Sequence, residues 1–94
     1  MSKAYLYTFS MPANTTRKAI ATFLSESDKV DDWFYSIPSS IFIVTPLTAK
    51  ALSDLIVSKF GKHRHFVTRV SEANRAGYMP TRHWERFPRD DAKS

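Results

Sequence analysis

The chain has 94 residues, 14 Lys and Arg against 9 Asp and Glu for a net charge of +5, and no cysteine. The length suits one domain, the missing thiols exclude disulfides, thiol catalysis and Cys-based zinc sites, and no apolar run is long enough to span a bilayer. Hydrophobic residues at 43% and aromatics at 14% are enough for one packed core.

Residues 4–10 alternate: Tyr5, Tyr7 and Phe9 share one face, with Leu6 and Thr8 on the other. That period of two predicts a strand, and bulk on both faces predicts a central one. The same alternation, with no small-residue cleavage site after it, makes residues 1–10 a poor signal peptide. Cytoplasm is the expected location, and the absence of disulfides agrees with it. Residues 11–14 form a turn, after which Asn14 or Thr15 can cap a helix running to about Ser27. Ile20, Phe23 and Leu24 mark its apolar face, with Arg17 and Lys18 outward. Asp28, Asp31 and Asp32 follow in a loop without calcium-loop spacing, and a solvated start to the next strand is the expected role.

A second strand is predicted over Asp32 to Ile37, with Trp33, Tyr35 and Ile37 on one face. Pro38, Ser39 and Ser40 break it, and Ile41 to Thr45 reads as a third, buried strand paired to it as a hairpin. Thr48 caps a second helix to Phe60 with a stripe of Leu52, Leu55, Ile56 and Phe60, and Gly61 stands at its C-cap. A fourth strand covers Arg64 to Val70 and a polar turn covers Ala73 to Gly77. The aromatic segment Tyr78 to Phe87 follows, with Pro80 starting a short helix whose Trp84 and Phe87 share a face. Those two rings are expected to dock on this subunit or a partner. In a protein-binding arm, His83 and Arg86 would instead face outward. Residues 88–94 are polar and expected to be disordered.

The order β-α-β-β-α-β plus an aromatic tail is that of an α+β, ferredoxin-like domain over residues 1–87. It has a four-stranded antiparallel sheet with two helices on one face. The other face needs a cover, which predicts a homodimer, with Tyr5, Tyr7, Phe9, Trp84 and Phe87 as candidates for a dimer or partner interface. Tyr5, Tyr7 and Phe9 also invite comparison with base-stacking sheets. The third strand lacks the basic-Gly-aromatic pattern of the RNA-recognition motif, and core packing explains the rings at least as well.

The run Trp33 to Val44 (WFYSIPSSIFIV), then a helix, a strand and Gly77-Tyr78-Met79-Pro80, resembles small SinR-like proteins, which are similar to the VapD toxins and the small CRISPR-associated spacer-integration subunit. The resemblance covers most of residues 4–87 and implies a ferredoxin-like homodimer. Nuclease members of the wider group carry an acid late in the first strand, in a segment like Tyr-Asp-Ile-Ser. Here Tyr7-Thr8-Phe9-Ser10 places Thr8 there, and a neutral hydroxyl cannot replace a metal-binding carboxylate.

Charge is uneven along the chain. Residues 24–32 hold Glu26, Asp28, Asp31 and Asp32 against Lys29, which is −3. Residues 59–82 hold Lys59, Lys62, Arg64, Arg69, Arg75 and Arg82 against Glu72, which is +5. Those six cations are the candidate nucleic-acid or anion-binding residues, with ordinary solvated surface as the bland alternative. His63 and His65 share a strand face and, with His83, could serve acid–base chemistry or hold a metal, but the flanking cations oppose both. Glycine-rich phosphate loops, nucleophile elbows and HExxH are absent, and nothing recommends a Ser–His–Asp triad. The expected function is a non-enzymatic homodimer that contacts RNA, DNA or a nucleotide through its basic surface. No cofactor, metal or membrane is expected. A histidine-dependent nuclease and a protein-interaction module are the alternatives.

Overall fold

A computed structural model gives the fold and describes residues 2–35, 37, 39–71, 76–77 and 81–88. The elements run β1 (Lys3–Phe9), α1 (Arg17–Glu26), β2 (Asp32–Tyr35), β3 (Ser40–Thr45), α2 (Ala49–Phe60), β4 (His65–Val70) and α3 (Thr81–Trp84). Helices α1 and α2 each begin where a threonine satisfies an otherwise unpaired backbone donor. Thr48 accepts from Ala51 N–H at 3.1 Å, as the sequence predicts. The cap of α1 is Thr16, which accepts from Ala19 N–H at 3.1 Å, rather than Asn14 or Thr15. Asn14 adopts the left-handed conformation (φ 58°) in the preceding turn, and Thr15 Oγ1 donates to Ala13 C=O, so the helix starts later.

Sheet order is β2-β3-β1-β4, antiparallel throughout, which is the ferredoxin-like arrangement expected from the element order. The two strands with bulk on both faces, β1 and β3, are central. Register pairs Tyr5 with Ile43 on one side and with Arg69 on the other. Predicted to run to Ile37, β2 ends at Tyr35. Ile37 lies in an exposed bend closed by Ser40 N–H to Ile37 C=O at 3.1 Å.

Alternation divides the apolar residues between two clusters. Under the helices, Tyr5, Tyr7, Phe9, Ile41 and Ile43 pack against Ile20 and Leu24 of α1 and Leu52 and Ile56 of α2. Each aliphatic side chain so buried contributes about 1.5–3 kcal/mol relative to exposure. On the opposite face Ala4, Phe34 and Phe42 pack with Phe87, flanked by Leu6, Val70 and Trp84. Phe87 meets Phe34 at 5.3 Å and Phe42 at 5.0 Å between ring centroids, both edge-to-face. The C-terminal rings therefore dock on this subunit. Arg86 lies along the sheet while remaining exposed: it pairs with Asp32 at 2.5 Å, donates to Trp33 C=O at 2.7 Å and stacks over Phe34. The expected positions of Tyr78, Met79, Pro80 and Arg75, most of the turn at 73–77, and residues 89–94 lie outside the described residues.

Candidate nucleic-acid interface

Phe9 pairs with His65, and Ser10 N–H donates to Arg64 C=O at 2.9 Å, so the end of β1 lies beside the start of β4. The chain enters α1 soon after leaving β1, and leaves α2 just before entering β4. Both helix ends therefore fall at one end of the sheet. Side-chain contacts agree: the Arg17 guanidinium lies 4.2 Å over the ring of Tyr35, the last residue of β2, and Lys59 Nζ is 6.0 Å from the Phe23 ring. Arg17, Lys18, Lys59, Lys62 and Arg64 are all exposed at this end. No carboxylate occurs in residues 3–25 or 55–71.

The acidic loop sits at the far end of the sheet, where Thr45 donates to Lys29 C=O and Asp31 N–H donates to Val44 C=O at 2.8 Å. Ser2 Oγ reaches Asp31, and Asp32 pairs with Arg86. The carboxylates of this end stand among cations, with Lys3, Lys29, Arg69 and Arg86 beside Glu26, Asp28, Asp31 and Asp32, so the excess positive charge lies at the other end.

Only part of the six-residue cluster read from the sequence is brought together. Lys59, Lys62 and Arg64 are. Arg69 lies four residues further along β4, roughly 13 Å from its start at strand rise, and Arg82 is on α3 at the opposite face. The linear charge count missed Arg17 and Lys18, which precede the basic half by 40 residues and join it only through the sheet order. The signal was available: in a split βαβ order, the start of the first helix and the end of the second share an end.

Beside this end stand the two histidines. Their rings are stacked at 4.6 Å between centroids. His63 Nδ1 is 2.8 Å from Gly61 C=O and its Nε2 is 2.6 Å from Tyr7 Oη. His65 repeats the pattern, with Nδ1 2.8 Å from His63 C=O and Nε2 2.6 Å from Ser53 Oγ. A carbonyl only accepts, so each Nδ1 donates, and in the neutral imidazole each Nε2 accepts a hydrogen bond from the hydroxyl. Burial, with a smaller contribution from Tyr35, holds the Tyr7 phenol above the usual tyrosine range, so it stays a donor.

The pair pins the start of β4 to β1 and α2. Ser53 on His65 also has the form of a nucleophile and its base. Ser53 is however inside α2, where the nearby N–H groups belong to the helix ladder and cannot stabilise an oxyanion.

His83 is elsewhere, 5.5 Å from the Phe34 ring on the opposite face, so the three histidines do not converge. Among the described residues no group of three His, Asp or Glu could hold a metal ion. Thr8 is on the face away from the histidines, and its Oγ1 reaches Ser39 C=O at 3.4 Å. Tyr5, Tyr7 and Phe9, candidates for a partner interface, lie in the core beneath the helices instead, because the helices cover the face they share. No helix among the described residues is long and apolar enough to cross a membrane. No protein-family model, curated protein or solved structure matches the chain.

Proposed function

We propose that this domain binds a nucleic acid or a similar polyanion through its basic end, without cleaving it. The observation that carries the reading is the convergence of Arg17, Lys18, Lys59, Lys62 and Arg64, all exposed, on an end that has no carboxylate in either contributing segment. Solvation alone needs mixed charge rather than segregated charge, whereas a row of phosphates is attracted by cations gathered on one surface. The nuclease reading rests on His63, His65 or His83, and His83 stands apart from the other two, against Phe34. Here every ring nitrogen of His63 and His65 has a partner within the protein. The homodimer reading loses its original support, since residues of the C-terminal segment already cover much of the sheet face expected to need a second copy.

The test is fluorescence anisotropy of labelled RNA and DNA oligonucleotides over a range of salt, followed by a gel of the recovered strand. The expected outcome is affinity that falls steeply with salt, with a log–log slope of roughly −0.7 per phosphate contacted on a single strand, and an intact strand. Affinity that is absent at low salt or independent of salt would overturn the reading, and a shortened strand would replace it with the nuclease.

A further inference from the structure

The C-terminal segment covers the far half of the open sheet face, over Ala4, Phe34, Phe42, Leu6 and Val70. Nearer the basic end Ser40 is buried and Thr8 and Thr68 are half-buried, but Phe66 is 62% exposed, the most exposed large apolar side chain among the described residues. Burying such a ring is worth about 1.5–3 kcal/mol, so leaving it in water forgoes a stabilisation that a shift of the cover would supply. The ring stands on edge strand β4, opposite Thr8 of β1. Arg64, two residues earlier and bonded to Ser10 as a continuation of the same ladder, falls on the same face by alternation. Lys62 precedes it. An exposed ring is thereby flanked by cations and hydroxyls at the edge of a polyanion-attracting surface.

We propose that Phe66 is a stacking platform for a base of a single-stranded nucleic acid, with Arg64 and Lys62 neutralising the adjoining phosphates. This rests on the basic-end reading and narrows it to a substrate class. A phenyl ring has no hydrogen-bonding group, so it offers a base its flat face and reads no edge; such stacking is sequence-tolerant. It requires an unstacked base, which a single strand provides and an intact duplex does not. A second copy of this chain is the poorer occupant of the patch. Pairing the same end with itself would bring the two sets of exposed cations together.

The experiment compares wild type, Phe66→Ala and Phe66→Tyr by anisotropy with a short labelled oligothymidine and with a duplex of equal length, over a range of salt starting low, and by sedimentation for oligomeric state. Circular dichroism checks that the exposed-site variants fold. The proposal expects tighter binding of the single strand by wild type. It also expects a loss of roughly 10- to 100-fold in Phe66→Ala, near-wild-type affinity in Phe66→Tyr, and an unchanged duplex affinity and salt slope. Single-strand binding by Phe66→Ala equal to that of wild type would overturn the platform and leave the basic-end reading standing. Failure of wild type to bind either probe at low salt would overturn both. A wild-type dimer that Phe66→Ala converts to a monomer, with oligonucleotide affinity unaltered, would assign the patch to a second copy instead.

Discussion

Gly61 closes α2 with φ 85° and ψ 173°, and its N–H bonds Val57 C=O at 2.8 Å. That backbone conformation is open to glycine and costs any L-residue. A Cβ there would meet nothing within 4 Å, so the penalty of a side chain is conformational and not steric. Gly61→Ala is expected to lower stability by about 1–3 kcal/mol in urea denaturation; an unchanged midpoint would mean that α2 can end some other way. Gly61 was readable because its cap role is local. The same holds for Thr48. Thr16 was not, because the choice among Asn14, Thr15 and Thr16 turns on a left-handed residue upstream. The histidines were visible as a pair on one strand face, but what they do depends on Ser53 and Tyr7, which pairing brings from another helix and another strand.

At the scale of elements, the alternation and helical spacing were enough to place two helices and four strands in order, and the bulk on both faces picked out β1 and β3 as central. The placing of α3 was less legible. Its rings could be predicted to dock, but the side chain that fixes them was not: Arg86 reaches Asp32 at the start of β2, and nothing in the local spacing of either residue announces the other. The Arg86 hydrogen bond is the main reason the Asp32 carboxyl is held below its ordinary value. A carboxyl depressed in the folded state stabilises it fully above the unfolded value, near 3.8, and loses that contribution as pH falls through the lower folded value. The side chains are 40% and 38% exposed, so solvent screening limits the pair to about 1 kcal/mol or less. Arg86→Ala is expected to abolish this acid-dependent component and to speed amide exchange across Thr81–Phe87 at neutral pH. Acid stability curves of wild type and variant that run parallel below pH 4 would show that the pair contributes nothing.

For the whole molecule, charge read along the chain and charge read in space differ. Windows of sequence separate Arg17 and Lys18 from the basic half, whereas the sheet order joins them to it and moves Arg69 and Arg82 away. Reversal of Arg17 and Lys18 to Glu is therefore expected to flatten the salt dependence of oligonucleotide binding by roughly one to two contacts. Reversal of Lys62 and Arg64 is expected to do the same. Salt titrations of both double variants check this. An Arg17/Lys18 reversal with a wild-type slope would restrict the surface to the α2–β4 side.

The central position of β1 has a kinetic consequence. Its partners on either side, β3 and β4, come later in the chain: Lys3 pairs with Thr45, and Ala4 with Val70. During synthesis β1 emerges before the other strands of its sheet, yet one of its flanks stays open until β4 has followed. Closing such distant pairs costs loop entropy before contacts return it, so folding of this domain waits on β4 and is slow for its size. Until then the unpaired backbone edge of β1 that awaits β4 is the segment most in need of a chaperone.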